Sequence, residues 1–240
     1  MDGRRYTISG EIFARFPGYV RGVVVARDLR NGPTTPEVEA LLRDAEAHIR
    51  GTLDLETLTA DPRIASWRAA FKALGIKPNE FRCSTEAMAR RVLRGGRLPA
   101  INTLVDLGNA LSLRTLVPVG SHAIDHLEED LALRLATGAE TFVPFGTDQP
   151  EHPDPGEVVF VEGGTVLTRR WSWRQSNHTL TLPGTTAIEF NVDGLPPVPA
   201  EEVAGLCEEV AGLIRRHCGG RTRYEILSQD HPEMSLARET

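Results

Sequence analysis

Residues 98–127, LPAINTLVDLGNALSLRTLVPVGSHAIDHL, contain the point where the chain changes from helices to short strands. The first part of this stretch predicts a helix over about 101–113. From Pro118 onward, short apolar segments alternate with turns that contain Gly, Pro and Asp, which is typical of antiparallel strands. Helices before this point and strands after it predict an α+β fold.

The segments on either side follow the same division. Two strands are predicted within 6–29, around a turn at 16–18. Three helices then begin at polar capping residues, and their predicted ranges are 36–51, 62–75 and 84–95. Later strands are predicted over 131–136, 141–144, 157–161, 166–175, 178–182 and 187–192. A last helix over 200–217 precedes an edge strand at 223–227.

The composition is that of a globular protein, with 240 residues of which 40% are hydrophobic and 25% charged. No run approaches the roughly 18 apolar residues that a membrane-spanning helix needs, and no signal peptide is visible. The 3 cysteines are odd in number and widely spaced, which fits neither a disulfide framework nor a zinc site. We therefore expect a cytoplasmic protein without a membrane partner.

The net charge of −6 argues against a general nucleic-acid binder, and we expect no DNA partner. Two basic clusters nevertheless stand out in the sequence. They are Arg90, Arg91, Arg94 and Arg97 in the first, and Arg169, Arg170 and Arg174 in the second. Each cluster could contact phosphate groups, or could form an ordinary solvated face of a helix or strand.

Three polar residues of the stretch, Asn102, Asp106 and Asn109, are spaced at i, i+4 and i+7 and should share one helical face. Amides donate and accept hydrogen bonds and a carboxylate accepts them, so this row could hold a water or a ribose hydroxyl. It could equally form a capped, solvated face or a structural network with nearby loops.

His122 follows a Gly-Ser pair, which predicts that it lies on a turn. A histidine there can act as a general base or orient a water at neutral pH, and Asp106 or Asp125 could fix its tautomer. The alternative is a histidine that is packed in the core or lies on the surface. His126 is four residues further along, but the turn context and the missing HExxH pattern predict no metal site.

The segment WSWRQS over 171–176 has strand periodicity. Trp171 and Trp173 should share one face with Gln175, whereas Arg174 should lie on the other. Trp173 could stack an aromatic ring or a terminal base, with Arg174 at a phosphate or carboxylate. The tryptophans could instead fill or cover the core.

Residues 187–192 alternate between apolar and polar side chains, as a strand with one buried face does. Glu189 and Asn191 share the face opposite to the apolar residues. A carboxylate on a rigid strand could bind an ammonium group or a phenolic hydroxyl. The alternative is ordinary polarity on an exposed strand face.

Five motifs occur in an order and spacing that carry a family resemblance. They are IN followed by LVDLGN over 101–109, PVGSHAID over 118–125, PGEVV over 155–159, WSWRQS over 171–176 and TTAIEF over 185–190. With them the chain resembles the editing domain of the phenylalanyl-tRNA synthetase β subunit, and its free-standing versions more than the synthetase itself. The resemblance covers about 67–194. It implies one α+β domain over 1–240, with a mixed, mostly antiparallel β-sandwich-like core, helices around it, and 1–60 and 195–240 as additions packed on that core.

Editing domains of this family hydrolyse the ester of a tRNA charged with the wrong amino acid. The resemblance therefore implies a trans-editing aminoacyl-tRNA deacylase that binds the acceptor end of its substrate and uses no cofactor. His122 and Asn109 correspond to the residues near the terminal adenosine and the hydrolytic water, and Glu189 to the residue that reads the amino acid. We expect Asp106 to support the first two. Further substrate-binding residues are expected to be Asn191, Trp173, Arg174 and Asn102.

The chain departs from the family pattern at three places. Gly108 stands where many synthetase editing domains have Thr, Asn191 where they have a small residue, and 171–173 where they have a Gly-rich wall. The pocket should therefore differ in size and polarity. Two other functions stay open: a non-catalytic module for a free amino acid, small metabolite or RNA, and a hydrolase of a non-tRNA ester or amide.

Overall fold

The computed structural model describes residues 3–237, which form two β-sheets and a set of helices. The helices are α1 (Gly10–Arg15), α2 (Pro36–Thr52), α3 (Pro62–Ala73), α4 (Ser84–Leu93), α5 (Thr103–Thr115) and α6 (Ala200–Cys218), with a short 3-10 helix at Leu58–Ala60. The strands are β1 (Arg5–Ile8), β2 (Val20–Arg27), β3 (Val119–Ala123), β4 (Leu131–Leu135), β5 (Val158–Glu162), β6 (Thr165–Arg169), β7 (Arg174–Gln175), β8 (Ala187–Gly194), β9 (Arg221–Leu227) and β10 (Glu233–Ser235).

The strands form a six-stranded sheet in the order β10-β1-β4-β5-β6-β7 and a four-stranded sheet in the order β3-β8-β2-β9. All neighbouring pairs are antiparallel except β1 and β4, which run parallel. Two mostly antiparallel sheets with six α-helices confirm the predicted α+β class.

The largest apolar cluster lies between the two sheets. It joins Tyr6 of β1 and Phe160 of β5 in one sheet to Val23 and Val25 of β2 in the other. Helices α5 and α6 cover the opposite face of the four-stranded sheet, where a second cluster includes Phe190. Each sheet face therefore buries its apolar residues, and both faces of β8 are shielded from water.

Side-chain caps mark the starts of helices α2, α3 and α5. The Thr35 hydroxyl accepts a hydrogen bond from the Val38 amide before α2, and Asp61 accepts from two amides before α3. The Asn102 side chain caps α5 by accepting from the Val105 amide. Such caps satisfy amide groups that have no partner inside the helix, so the predicted starts of α2 and α3 are confirmed.

Four expectations about secondary structure are wrong. The predicted strand over 141–144 is replaced by isolated β-bridges. The segment 6–29 contains helix α1 between its two strands, because Ser9 caps that short helix. No strand forms over 178–182, and 166–175 is not one continuous strand but the hairpin of β6 and β7. A tight turn separates them at Arg170 and Trp171, which have φ values of 46° and 64° in the left-handed region.

The segments that flank 67–194 supply strands inside the sheets. Strand β2 lies between β8 and β9, and β1 lies between β10 and β4. These segments complete both sheets rather than cover a finished core. Within residues 3–237, no helix is both long and apolar enough to cross a membrane. The division into one domain with a core over 67–194, and the cytoplasmic location, stay predictions.

Candidate functional site

A cavity of about 380 Å³ lies between the two sheets and is closed on one side by α4 and α5. The four-stranded sheet contributes Arg21, His122 and Asn191 to its lining, and the six-stranded sheet contributes Phe160 and Thr168. Helix α5 and the β6–β7 turn complete the wall. We call this space the central cavity.

The central cavity brings together five of the eight predicted site residues. They are Asn109, His122, Trp173, Arg174 and Asn191. The other three, Asn102, Asp106 and Glu189, do not line it. Polar and aromatic side chains from α5, β3, β7 and β8 therefore converge on one space of a size that suits a small ligand group.

His122 lies on strand β3 and not on a turn as the sequence predicted. It pairs directly with Glu189 in the antiparallel register between β3 and β8, and this pairing extends the Gly-Ser segment into a strand. The imidazole is 4% exposed and packs at a tilt against Phe160, with 5.1 Å between the ring centroids. The histidine is thus a packed residue that also lines the central cavity.

Both ring nitrogens of His122 contact threonine hydroxyls. Nδ1 lies 2.7 Å from Thr179 Oγ1, and Nε2 lies 3.1 Å from Thr168 Oγ1. Burial, reinforced by the Arg21 cation, lowers the pKa of His122 to about 3. At neutral pH the ring is uncharged, so one nitrogen donates a hydrogen bond and the other accepts one.

Neither carboxylate that the sequence offered as a partner contacts His122. Asp125 accepts hydrogen bonds from the amide and hydroxyl of Thr186, at 2.9 and 2.6 Å. Asp106 accepts from the Thr34 hydroxyl at 2.5 Å. The expectation that Asp106 or Asp125 fixes the tautomer of His122 is wrong. The hydroxyls of Thr168 and Thr179 contact the two ring nitrogens instead.

The predicted polar row on α5 separates into two parts. Asn102 precedes the helix with an extended backbone, and its side chain both caps α5 and donates to the Thr181 carbonyl. Asp106 is 0% exposed and also accepts from the Ile101 amide at 3.0 Å. Both residues stabilise the start of α5, whereas Asn109 faces the central cavity. The sequence predicted one row of Asn102, Asp106 and Asn109 because a helix beginning at 101 would include Asn102, whereas α5 begins at Thr103.

Glu189 and Asn191 lie on a buried face of β8, so ordinary exposed polarity is excluded for them. Asn191 Nδ2 donates to Glu189 Oε1 at 3.1 Å, and the Tyr6 hydroxyl donates to Asn191 Oδ1 at 2.6 Å. The other Glu189 oxygen is buried without a hydrogen-bond partner in the described part of the chain. Burial raises the pKa of Glu189 to about 8, so its carboxyl group is mostly protonated at pH 7.

This raised pKa predicts a pH-dependent stability. Glu189 binds its proton more tightly in the folded chain, where its pKa is about 8, than at the usual pKa of 4.5. Its contribution to the free energy of unfolding is therefore complete below pH 4.5 and is lost as the pH rises through about 8. Glu189→Gln should remove this loss. The free energy of unfolding of the variant minus that of wild type should therefore increase by about 2 kcal/mol between pH 6 and pH 8. Urea unfolding at the two pH values measures it, with exposed Glu11→Gln as the control.

The sequence did not predict a buried ion pair in the wall of the central cavity. Arg21 Nε lies 2.7 Å from Asp193 Oδ1, and the side chains are only 2% and 5% exposed. Arg21 also donates to the hydroxyls of Tyr6 and Tyr19, at 2.7 and 2.9 Å. Two features of the sequence could have indicated this pair. Arg21 lies next to the apolar run of β2, and Asp193 continues the alternation of polar residues that begins with Glu189 on β8.

The turn between β6 and β7 sends its two tryptophans to different places. Trp171 is 2% exposed and packs edge-on against Tyr19 and Trp67, with centroid distances of 4.9 and 5.1 Å. Trp173 is half-buried at the edge of the central cavity, where it meets the ring of Phe81 at 4.9 Å. The shared face predicted for them is wrong, because the left-handed turn rotates one ring into the core.

An arginine-lined groove of about 770 Å³ adjoins the central cavity. Its basic residues are Arg82, Arg90, Arg91 and Arg94. The groove and the cavity have four lining residues in common, namely Ala87, Met88, Asn109 and Trp173. We call it the arginine groove. It places three arginines of the first basic cluster, Arg90, Arg91 and Arg94, in the same groove as Asn109.

The buried Glu86 carboxylate organises this groove. It accepts from Arg90 Nε at 2.7 Å and also from Arg68 at 2.8 Å, and it lies 3.8 Å from Arg82. Arg94 differs because it is exposed and makes no side-chain hydrogen bond or ion pair within residues 3–237. The groove therefore contains fixed guanidinium groups and one that is available to an anionic ligand.

Gly108, where the chain departs from the family pattern, lies at a close contact. A Cβ atom at this position would lie 2.9 Å from Cε1 of Phe190, which is buried beneath α5. A threonine cannot fit unless that ring moves. The glycine thus lets α5 pack directly on β8, which brings Asn109 to the central cavity.

Within the described residues, no group of three or more His, Cys, Asp or Glu side chains is arranged to hold a metal ion. His126 and His178 both line a separate cavity of about 370 Å³, where His178 Nε2 bonds Glu162 at 2.7 Å.

Comparison with known proteins identifies the family. Residues 66–219 match the B3/4 domain, and the chain belongs to this family of the phenylalanyl-tRNA synthetase β subunit, which confirms the resemblance. Among solved structures, it is similar to an N-terminal fragment of the phenylalanyl-tRNA synthetase β subunit from Pyrococcus horikoshii, with 11% identity and a TM-score of 0.46. The match covers 91% of this chain and 49% of that fragment, so the chain spans about half of its length. Curated protein sequences give no match.

Proposed function

We propose that this B3/4-domain protein is a trans-acting aminoacyl-tRNA deacylase, which hydrolyses the ester between an amino acid and the terminal ribose of tRNA. One observation carries the proposal. The arginine groove adjoins the central cavity, and Asn109 and Trp173 line both. A polyanion that binds along the groove can therefore place its end in the cavity.

The groove suits the single-stranded end of a charged tRNA. Arg94 offers an exposed guanidinium group to its phosphates, and Trp173 offers an aromatic face to a base. The overall charge of −6 favours a contact limited to this end, because the chain as a whole has no basic excess. We expect modest affinity that depends strongly on salt.

The central cavity supplies groups for ester hydrolysis. The ester is already activated, so the protein needs only to position a water and stabilise the developing oxyanion. The neutral His122 ring holds the Thr168 hydroxyl, which lines the cavity and can orient the water. The Asn109 amide can donate to the oxyanion.

The reaction consumes one water. Its oxygen forms a bond to the ester carbonyl carbon, and the bond from that carbon to the ribose oxygen breaks. The ribose oxygen takes up a proton from the water and becomes a hydroxyl, while the amino acid leaves with its carboxyl group restored. We assign Asn191 to the amino-acid side of the cavity, and Glu189 acts on it through their hydrogen bond.

The decisive experiment measures deacylation of a panel of mischarged tRNAs by the purified protein. We expect hydrolysis of at least one member well above the uncatalysed rate. If no member of the panel is hydrolysed faster than in buffer, the proposal is wrong. Calorimetry that then detects free amino-acid binding without tRNA binding would favour the non-catalytic alternative.

Arg94→Ala should raise the KM for a charged tRNA about three- to tenfold and leave kcat nearly unchanged. The reason is that the exposed guanidinium contributes one phosphate contact, so its loss should also reduce the slope of log KM against log salt by about one. Steady-state kinetics at several salt concentrations provide the measurement. Arg221→Ala, which removes an exposed arginine on β9, is the matched control and should change neither value.

A further inference from the structure

Beside the central cavity, Phe145 is the most exposed large apolar side chain noted in the described structure, at 62%. It follows Pro144, which pairs with Ser176 immediately after β7. The Phe145 amide donates to the Gln175 carbonyl at 3.1 Å, and the Asn177 amide donates to the Val143 carbonyl at 3.0 Å. These two bonds add the chain around Pro144 to the edge of the six-stranded sheet.

The register of this added strand relates Phe145 to the cavity. With Pro144 opposite Ser176 in an antiparallel pair, Phe145 is opposite Gln175, and opposite residues share a sheet face. The Gln175 side chain lines the central cavity and lies 3.3 Å from His122 Nδ1. Phe145 is therefore at the cavity-facing side of the sheet edge, one strand further out.

A cation and a second aromatic ring complete this edge. Arg174 Nη2 contacts the Phe145 carbonyl at 3.4 Å, and the Arg174 guanidinium carbon lies 6.0 Å from the Trp173 ring centroid. Arg174 and Gln175 are successive residues of β7, so the Arg174 side chain leaves from the face opposite to Phe145. Its guanidinium nevertheless lies at the same sheet edge, next to the Phe145 carbonyl and the Trp173 ring. Aromatic rings interleaved with arginine bind single-stranded nucleic acid by stacking on bases and attracting phosphates.

We infer that Phe145 and Arg174 form a nucleobase subsite for the nucleotide that precedes the terminal adenosine of the bound tRNA. This inference rests on the proposed function and deepens it. The terminal adenosine and its ester occupy the cavity, the preceding base stacks on Phe145, and Arg174 meets the phosphate between them. The subsite explains an exposed aromatic side chain that contributes nothing to the core.

The test compares two substrates, a charged tRNA and the same amino acid esterified to adenosine alone. Phe145→Ala should raise the KM for charged tRNA about tenfold, as expected for one lost base stack, and leave kcat unchanged. Hydrolysis of the adenosine ester should change less than twofold, because that substrate lacks the preceding base. Phe145→Trp should keep wild-type values, and Tyr224→Ala, which removes an exposed ring from β9, should match wild type with both substrates.

The outcomes separate the two proposals. If wild type hydrolyses the charged tRNA and Phe145→Ala leaves its KM unchanged, or alters both substrates alike, the subsite is wrong and the proposed function stands. If wild type hydrolyses neither substrate, the proposed function fails. Binding of a CCA trinucleotide by calorimetry then decides the subsite: weaker binding by Phe145→Ala supports it, and equal binding overturns it.

Discussion

Replacing Arg21 with Met should lower the free energy of unfolding by about 3–5 kcal/mol, the range for breaking a buried ion pair from one side. The Asp193 carboxylate would stay 5% exposed without its cation, and the hydroxyls of Tyr6 and Tyr19 would lose a charged donor. Urea unfolding at pH 7 measures the change through the shift of the midpoint at constant slope.

A double variant distinguishes the lost pair from lost packing. Arg21→Met combined with Asp193→Leu removes both charges, so it should recover most of the stability lost by Arg21→Met alone. The control is Arg5→Ala, which breaks an ion pair to Glu233 whose side chains are 60% and 52% exposed and should cost less than about 1 kcal/mol. Equal losses in Arg21→Met and Arg5→Ala would contradict this account.

The same pair illustrates what local sequence patterns can and cannot predict. Helices α2, α3, α4 and α6 agree with the prediction to within about two residues, because apolar spacing is a local signal and side-chain caps reinforce it at the starts of α2 and α3. The pairing of Arg21 with Asp193 joins distant parts of the chain through the register of β2 and β8. No local pattern contains that register.

The prediction of one strand through the β6–β7 turn was wrong for a related reason. Period-two alternation in WSWRQS is satisfied by a strand, and the left-handed backbone at Arg170 and Trp171 has no local marker such as glycine. The position of Trp171 is supported by tertiary packing against Tyr19 and Trp67. Tertiary contacts therefore override a local preference at the wall of the candidate site.

The candidate site also depends on tertiary contacts that local sequence patterns do not predict. Alternation on β8 correctly placed Glu189 and Asn191 on one strand face, but their burial depends on the second sheet that packs over it. The sequence singled out His122, which lines the central cavity, whereas its partners Thr168 and Thr179 come from later segments that only the fold brings to it. The convergence of the arginine groove with the cavity is likewise a property of the assembled fold.

His122 has the largest expected effect on activity. His122→Ala should lower kcat for deacylation about 100-fold, the cost of losing one positioned hydrogen-bonding group at a reaction centre. The water would lose its orientation, because Thr168 would no longer be held by Nε2. His122→Gln offers an amide donor and acceptor and should recover part of the rate. Single-turnover deacylation gives the rates, and His152→Ala, at an exposed histidine remote from the cavity lining, is the control.

The pH profile separates positioning by His122 from proton transfer by it. Burial lowers its pKa from 6.5 to about 3, so the ring is neutral throughout the range from pH 5 to 8. The wild-type rate should therefore show no decline near pH 6.5, in contrast to an enzyme whose histidine is a general base. A decline there that His122→Gln abolishes would mean that the ring is protonated in the working enzyme, and His122 would then be a base. A rate without that transition, together with a 100-fold loss in His122→Ala, identifies a neutral ring that acts by holding the Thr168 hydroxyl in place.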